Sequence, residues 1–200
     1  FAGPSEIMIV CDRDDIPVEY LVRDLLSQAE HDPDAGAILV TTSLKQAKEV
    51  AKRIEELVPT IPRRNIIEDS FANRSGIIVA KDLSEIFEVI NELAPEHLEV
   101  LTKQPFDDLH RIRNAGAIFL GPNTPEPVGD YFAGPNHTLP TSGRAKFSSP
   151  LGVQDFVKTS SVISYSDERL QNQGEQIIRF AEEEGLFAHA AAIKVRLENQ

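Results

Sequence analysis

The run Ile7-Met8-Ile9-Val10-Cys11 consists entirely of apolar side chains. Unbroken apolar runs of this length are typical of strands that are buried on both faces of a parallel sheet. Comparable runs recur along the chain and predict further strands at residues 37–41, 76–80, 98–101, 117–120 and 161–164.

Segments with the period of an amphipathic helix alternate with these runs. They are residues 18–30, 44–57, 85–93, 170–184 and 186–197. Ser43 precedes the second segment, and Asp82 or Ser84 precedes the third, where helix N-caps are expected. The alternation predicts an α/β fold with a largely parallel sheet, flanking helices and right-handed crossovers. A small, mostly helical lobe is expected to follow.

Composition excludes several functional classes. The 200 residues include 32 acidic and 20 basic side chains, giving a formal net charge of −12. A generic nucleic-acid binder needs a basic surface, so we expect no nucleic-acid partner. No apolar run approaches the ~18 residues of a membrane span, so we expect no membrane partner.

Cys11 is the only cysteine in the sequence. It cannot form an internal disulfide, which favours a reducing compartment, and we expect a cytoplasmic protein. Its place in an apolar run predicts a buried thiol rather than a nucleophile. The sequence begins Phe1-Ala2-Gly3-Pro4 without an initiator methionine, and we interpret it as part of a longer polypeptide.

Residues 121–150 differ from the rest of the chain. This segment contains six prolines and four glycines, together with Tyr131, Phe132 and Phe147. Disordered segments are poor in aromatic residues, whereas long ordered loops are often functional. We therefore predict an ordered site loop.

Two polar pairs lie outside this loop. Gln28 and His31 are three residues apart near a predicted helix end, so both could bind the same ion. Alternatively, His31 is a histidine that the helix dipole stabilises at the C-terminal end of the helix. Glu96 and His97 follow Pro95 at the mouth of a predicted strand, where ligands of open α/β sheets tend to bind. They could share acid and base duties if the chain turns there, but a solvated strand entry is the simpler interpretation.

Asp130 and His137 belong to the long loop and supply oxygen and nitrogen donors suited to zinc or another borderline metal. Glu184 and His189 are separated by Gly185, so one straight helix would not align them, and His189 alone is more typical of a structural residue. Motifs for dinucleotide binding, phosphate binding, zinc hydrolysis and serine hydrolysis are all missing from the sequence.

Taken together, an ordered set of motifs across essentially the whole chain resembles histidinol dehydrogenase. The motifs are Gly3-Pro4-Ser5-Glu6, Ser27-Gln28-Ala29-Glu30-His31, Ala94-Pro95-Glu96-His97-Leu98, Gly129-Asp130-Tyr131, Gly134-Pro135-Asn136-His137, Pro140-Thr141-Ser142-Gly143, and Glu184-Gly185-Leu186 with His189. Family members are about twice as long, so the chain is similar to their C-terminal half.

The resemblance implies oxidation of L-histidinol through an aldehyde to L-histidine, with two NAD molecules, in the last steps of histidine biosynthesis. Gln28, His31 and Asp130 match the family's zinc ligands, and His189 matches a fourth from the other subunit of a homodimer. Zinc would hold the substrate's imidazole and amino nitrogens, which is a positioning role.

Glu96 and His97 match the family's catalytic pair. By that match, His97 takes the alcohol proton as hydride leaves, and Glu96 activates water for attack on the aldehyde. The family's substrate contacts correspond to Ser5, His137 and, from the partner subunit, Glu184. The zinc ligands and His97 are also expected to touch the substrate.

The resemblance also implies a domain organisation. Residues 1–150 would be part of an incomplete Rossmann-like α/β domain that carries the metal and catalytic residues. Residues 151–200 would be a tail lobe that reaches the partner subunit. The NAD contacts are expected mainly in the missing half, so they are unknown here, and the chain alone should be inactive or nearly so.

Two alternatives from other classes stay open. A non-catalytic module for metal binding or dimerisation would keep the zinc residues but show no turnover. A metal-dependent hydrolase could pair Glu96 with a metal-bound water, although the missing HExxH motif counts against it.

Overall fold

A computed structural model describes residues 3–198. These residues form two compact units, with the boundary between Phe156 and Val157. Among the described residues, no helix combines the length and hydrophobicity needed to cross a membrane.

The first unit is built on a five-stranded sheet in the order β3-β2-β1-β4-β5. The strands are β1 (Glu6–Cys11), β2 (Gly36–Thr41), β3 (Gly76–Val79), β4 (His97–Leu101) and β5 (Ala117–Leu120). Every neighbouring pair is parallel. The predicted α/β fold with a parallel sheet is confirmed.

Eight α-helices connect or follow the strands in the described chain. They are α1 (Val18–Ala29), α2 (Leu44–Leu57), α3 (Arg64–Asn73), α4 (Leu83–Leu93), α5 (Pro105–Asp108), α6 (Glu126–Tyr131), α7 (Asp167–Glu183) and α8 (Phe187–Glu198). Ser43 caps α2 by accepting the N–H of Gln46. Asp82, rather than Ser84, caps α4 by accepting the N–H of Glu85.

The core lies on both faces of β1. Ile7, Ile9 and Cys11 pack on one face beneath α1, α2 and α3. Met8 and Val10 pack on the other face beneath α4. Because successive side chains of a strand point to opposite faces, burial on both sides requires an apolar residue at every position. Each such side chain stabilises the fold by about 1.5–3 kcal/mol.

Helix α3 was not among the predicted helices. Its apolar positions are few, and Ile67 is its only fully buried apolar side chain. Such a helix is stabilised by its position against α1 and β2 rather than by its own pattern, which explains why periodicity misses it.

The strand predicted at residues 161–164 is wrong. The structure has no regular element between residues 157 and 166, and Val162 and Ile163 are 94% and 82% exposed. An apolar run becomes a strand only where a neighbouring strand pairs with it and a core covers it. This segment has neither.

The second unit contains α7 and α8. Ser166 caps α7, and Gly185, in the left-handed region at φ 75°, follows its end, as the predicted helix stop requires. A Cβ at Gly174 of α7 would clash with Leu197 of α8, so the two helices meet closely at that glycine. Phe180 and Phe187 remain about 70% exposed on this unit.

We predict that Gly116→Ala destabilises the fold. A Cβ there would lie 2.5 Å from the carbonyl oxygen of Glu96, and the adjacent N–H of Ala117 donates to that oxygen. The backbone must therefore shift, at a cost of about 1–3 kcal/mol. Chemical denaturation of the full-length protein measures the change in the free energy of unfolding.

Gly76→Ala is the matched control, since no atom lies within 4 Å of a Cβ at that position. If the two alanine variants unfold at the same denaturant concentration, the close approach at Gly116 has no structural importance.

Candidate active site at the amino edge of the sheet

The candidate site lies where the strands begin. Ser5 and Glu6 stand at the start of β1, and Glu96 and His97 stand at the start of β4. Ligands of open α/β sheets usually bind beyond the carboxyl ends of the strands. Glu96 and His97 lie at the mouth of their strand, where the sequence placed them, and this is the edge opposite to the one that the rule favours.

A turn between α4 and β4 shapes the Glu96–His97 pair. Ala94 is buried in the left-handed conformation at φ 51°, and Pro95 follows it. Glu96 therefore precedes the regular strand, and its Oε2 lies 3.5 Å from Nδ1 of His97. Adjacent side chains can share one site only if the chain turns at that point, and here the chain does turn.

Glu96 is held by the start of β1. Its Oε2 accepts the hydroxyl of Ser5 at 2.7 Å and the backbone N–H of Glu6 at 2.9 Å. Both hydrogen bonds use the same oxygen, so neither of them involves Oε1. The residue is only 6% exposed and lines a cavity.

His97 has a defined tautomer. Its Nδ1 lies 3.0 Å from the carbonyl oxygen of Glu6, and a carbonyl can only accept, so Nδ1 carries the proton. In the neutral ring, Nε2 then holds a free lone pair. It is buried without a hydrogen-bond partner among the described residues, 3.9 Å from both Glu126 Oε1 and Asp130 Oδ1.

A cavity of about 230 Å³ gathers six of the nine predicted site residues. Its lining consists of Ser5, His31, Glu96, His97, Asp130, His137, Thr138 and Leu139. These residues come from five separate stretches of sequence. The fold therefore brings most of the predicted site together in the first unit.

His31 reaches this cavity from just beyond α1. The helix ends at Ala29, so Gln28 lies in its last turn and His31 lies two residues beyond its end. Arg63 donates to the carbonyl oxygens of Glu30 and His31. This contact satisfies carbonyls that the end of the helix leaves free, and it ties the segment that carries His31 to the start of α3.

Gln28 is fully buried, and neither atom of its side-chain amide has a hydrogen-bond partner in the described chain. Glu126 Oε1 is in the same condition. Buried polar atoms are normally hydrogen-bonded, and an exception often marks a missing ion or ligand. His97, Glu126 and Asp130 also place one donor atom each within 4.8 Å of one another.

The unpaired donors suit a metal. Amide and carboxylate oxygens with imidazole nitrogens form a set that zinc and similar borderline ions accept. The residues present therefore fit a divalent ion in the first unit. Glu184 directly follows α7 and His189 lies on α8, so both belong to the second unit, where both are exposed.

The sequence profile of the family described as histidinol dehydrogenase matches residues 1–197. The chain belongs to the histidinol dehydrogenase family.

Individual relatives support the same assignment. The chain is 55% identical over 199 residues to histidinol dehydrogenase of Halalkalibacterium halodurans, covering 100% of this chain and 47% of that protein. It is 55% identical over 197 residues to the Geobacillus kaustophilus protein of the same name, covering 98% and 46%. The chain thus spans about half the length of these relatives.

A solved structure is also similar. The crystal structure of histidinol dehydrogenase from Elizabethkingia anophelis matches with a TM-score of 0.89 at 35% identity. The match covers 98% of this chain and 45% of that chain. The fold described here is therefore that of part of a histidinol dehydrogenase.

Two distant segments of the chain contact each other at the edge of the site. The backbone N–H of Ser142, in Pro140-Thr141-Ser142-Gly143, donates to Glu6 Oε1 at 2.9 Å. A Cβ at Gly3 would collide with the Thr141 hydroxyl, so the backbone at Gly3 packs directly against this side chain. The end of the long loop is in this way fixed to the start of β1.

The sequence interpretation missed two buried acids, Glu99 and Glu126. Glu99 shares a face of β4 with His97, and Glu126 lies one turn before Asp130 on α6. Strand alternation and the i, i+4 spacing could have indicated both. The N–H of Glu126 donates to Glu99 Oε1 at 2.8 Å. These two residues are 27 positions apart, so no local sequence pattern indicates their contact.

Burial controls the ionisation of these acids. Desolvation, followed by the charge of Asp24, raises the pKa of Glu99 to about 9. Desolvation, followed by the charge of Asp130, raises the pKa of Glu126 to about 8. Both carboxyls therefore resist losing their protons in the metal-free site.

We predict that the metal-free protein loses stability as pH rises from about 5 to about 9. Glu99 keeps its proton in the folded state to about pH 9 but loses it near pH 4.5 when unfolded. The folded state thus binds more protons across this range, so unfolding becomes easier as pH increases. Glu99→Gln cannot ionise and should flatten the slope.

Melting temperatures measured with chelator at several pH values test this. Glu88→Gln, at an exposed position on α4, is the control and should keep the wild-type slope. Parallel curves for wild type and Glu99→Gln would contradict the prediction.

Proposed function

We propose that this chain is the C-terminal half of a histidinol dehydrogenase that oxidises L-histidinol through histidinal to L-histidine. One observation carries the proposal: the cavity that gathers Ser5, His31, Glu96, His97 and Asp130, with His137, at one edge of the sheet. L-Histidinol offers an imidazole, an amine and a primary alcohol. Nitrogen and oxygen donors around a small cavity suit all three groups.

Gln28, His31 and Asp130 would hold a zinc ion, with His189 of a second copy as the fourth ligand. The unpartnered amide of buried Gln28 supports this assignment, because a ligand would satisfy an atom that otherwise costs stability. Zinc, when bound, would fix the substrate's imidazole and amino nitrogens. Its contribution is thus orientation.

His97 would be the general base. Its Nδ1–H is engaged by the carbonyl of Glu6, so the free lone pair on Nε2 can accept the proton of the alcohol. The same hydrogen bond prevents the ring from rotating. His97 thus presents one basic atom to the cavity in a fixed direction.

Glu96 would activate water at the aldehyde stage. Ser5 and the N–H of Glu6 fix its Oε2, which leaves Oε1 to accept a proton from water. The Ser5 oxygen keeps lone pairs that can accept an N–H of the substrate's amino group. His137 lines the same cavity and would close the site around the substrate, with Glu184 of a second copy.

NAD, the hydride acceptor of the proposed reaction, has no recognisable site in residues 3–198. The turn after β1 carries Asp12, Asp14 and Asp15 and has no glycine. A pyrophosphate needs close backbone approach and positive potential, and three carboxylates oppose it. The dinucleotide contacts would therefore come from the other half of the protein, and this chain alone should show little or no dehydrogenase activity.

We predict that His97→Ala and Glu96→Gln lower turnover of the full-length enzyme by about 10²- to 10⁴-fold, the usual loss when a general acid or base is removed. His97→Ala should slow oxidation of both L-histidinol and L-histidinal. Glu96→Gln should spare the alcohol stage and slow the aldehyde stage. Steady-state NADH formation with each substrate, after circular dichroism to verify folding, measures the difference.

Near-native rates with both substrates in both variants would refute the catalytic assignment. The same assays separate the other functional classes. Stoichiometric zinc without turnover would favour a binding module, and hydrolysis without NAD would favour a metal-dependent hydrolase.

We further propose that the tail lobe completes the site of a partner subunit in a homodimer. Support comes from the second unit itself, where Glu184 and His189 are exposed together with Phe180 and Phe187. Exposed aromatic side chains on a short helical pair are typical of a surface that a partner covers. An isologous dimer would then contain two composite sites.

We predict that mixing inactive full-length His31→Ala and His189→Ala proteins restores activity. If His189 acts in the partner's site, both lesions of a mixed dimer fall in one site and leave the other intact. Activity per mixed dimer should approach about half that of wild type if the sites are independent. Turnover after subunit exchange is the measurement.

Mass spectrometry of differently tagged chains supplies the control that mixed dimers have formed. Mixed dimers without recovered activity would assign His189 to the site of its own chain.

A further inference from the structure

Glu99 occupies an unusual place for an acid. It lies in the middle of β4, between Leu98 and Val100, and is 1% exposed. Carboxyl groups are rarely buried this deeply, because moving a carboxyl group out of water costs free energy, whereas burying an apolar side chain is favourable. An apolar residue would suit the strand better, so the carboxyl must do something that packing does not.

The carboxyl of Glu99 contacts two helices. Its Oε1 accepts the N–H of Glu126 at 2.8 Å, which is the first N–H of α6 and has no partner within its own helix. The side chain also shares a hydrogen bond with Asp24 of α1. Glu99 thus joins α1 to α6 through β4.

Both contacts lie one helical turn before a proposed zinc ligand. Asp24 precedes Gln28 by four residues on α1, and Glu126 precedes Asp130 by four residues on α6. Residues at this spacing share one face of a helix. Holding Asp24 in place therefore fixes the face of α1 that carries Gln28. Holding Glu126 in place fixes the face of α6 that carries Asp130.

We propose that Glu99 is a positioning residue that ties α1 to α6 and sets the separation of Gln28 and Asp130. The inference rests on the proposed zinc site. Glu99 itself touches neither metal nor substrate in this scheme. It acts by holding together two helices, α1 and α6, that lie about 100 residues apart in the sequence.

The test is zinc affinity of the full-length protein by competition with a chelator, independent of turnover. Glu99→Ala removes both contacts and should weaken zinc binding about 10- to 100-fold, as loss of residues that orient metal ligands does. Glu99→Gln keeps an acceptor for the N–H of Glu126 and a donor for Asp24. It should stay within a few-fold of wild type.

Val100→Ala is the matched control, because Val100 is buried in the same strand on the opposite face. It should lower the melting temperature but leave zinc affinity unchanged. Equal zinc affinity in Glu99→Ala and wild type would overturn the positioning role. Equal weakening of zinc binding in Glu99→Ala and Val100→Ala would also overturn it, because that result would indicate general loosening of the fold. Loss of zinc affinity in Glu99→Gln would overturn it as well.

Asp24→Ala provides a second arm through the α1 contact. It should weaken zinc binding in the wild-type background but add little in the Glu99→Ala background, since the tie is already broken. Additive losses would overturn the tie between the two residues. Failure of the wild-type protein to bind zinc would instead refute the proposed metal site, and this inference with it.

Discussion

The parallel pairing of β1 with β4, which sets Ile7 opposite His97, is the constraint on which the site depends. This register brings the residues before β1 beside those that open β4. The carbonyl of Glu6 can then orient His97, and the N–H of Glu6 can hold Glu96. A slip of one residue would turn His97 to the other face of the sheet and break every one of these contacts.

The edge on which the site lies also determines its charge. Helices that connect parallel strands run against them, so α1 ends where β1 and β4 begin. Carbonyl groups at a helix end carry partial negative charge, and Glu96, Asp130 and buried Glu126 add carboxyl groups nearby. Such an edge suits a cation rather than a phosphate.

Local patterns predicted most of the fold. The strands agree within a residue or two, and α2 agrees completely because Ser43 caps a strongly amphipathic segment. Residues 161–164 failed because an apolar run needs a neighbouring strand, which sequence does not supply. The site was harder, since residue spacing indicated only the local pairs. Resemblance to a family connected them, and the Glu99–Glu126 contact depends on three-dimensional proximity alone.

The buried thiol of Cys11 has a practical consequence. It is the only cysteine of the chain, lies in the central strand and is fully shielded from solvent. A small thiol reagent can reach it only when the sheet opens, so its labelling rate reports the opening of the central strand. Cys11 thus serves as a built-in chemical probe of local opening in β1, the strand that orients His97.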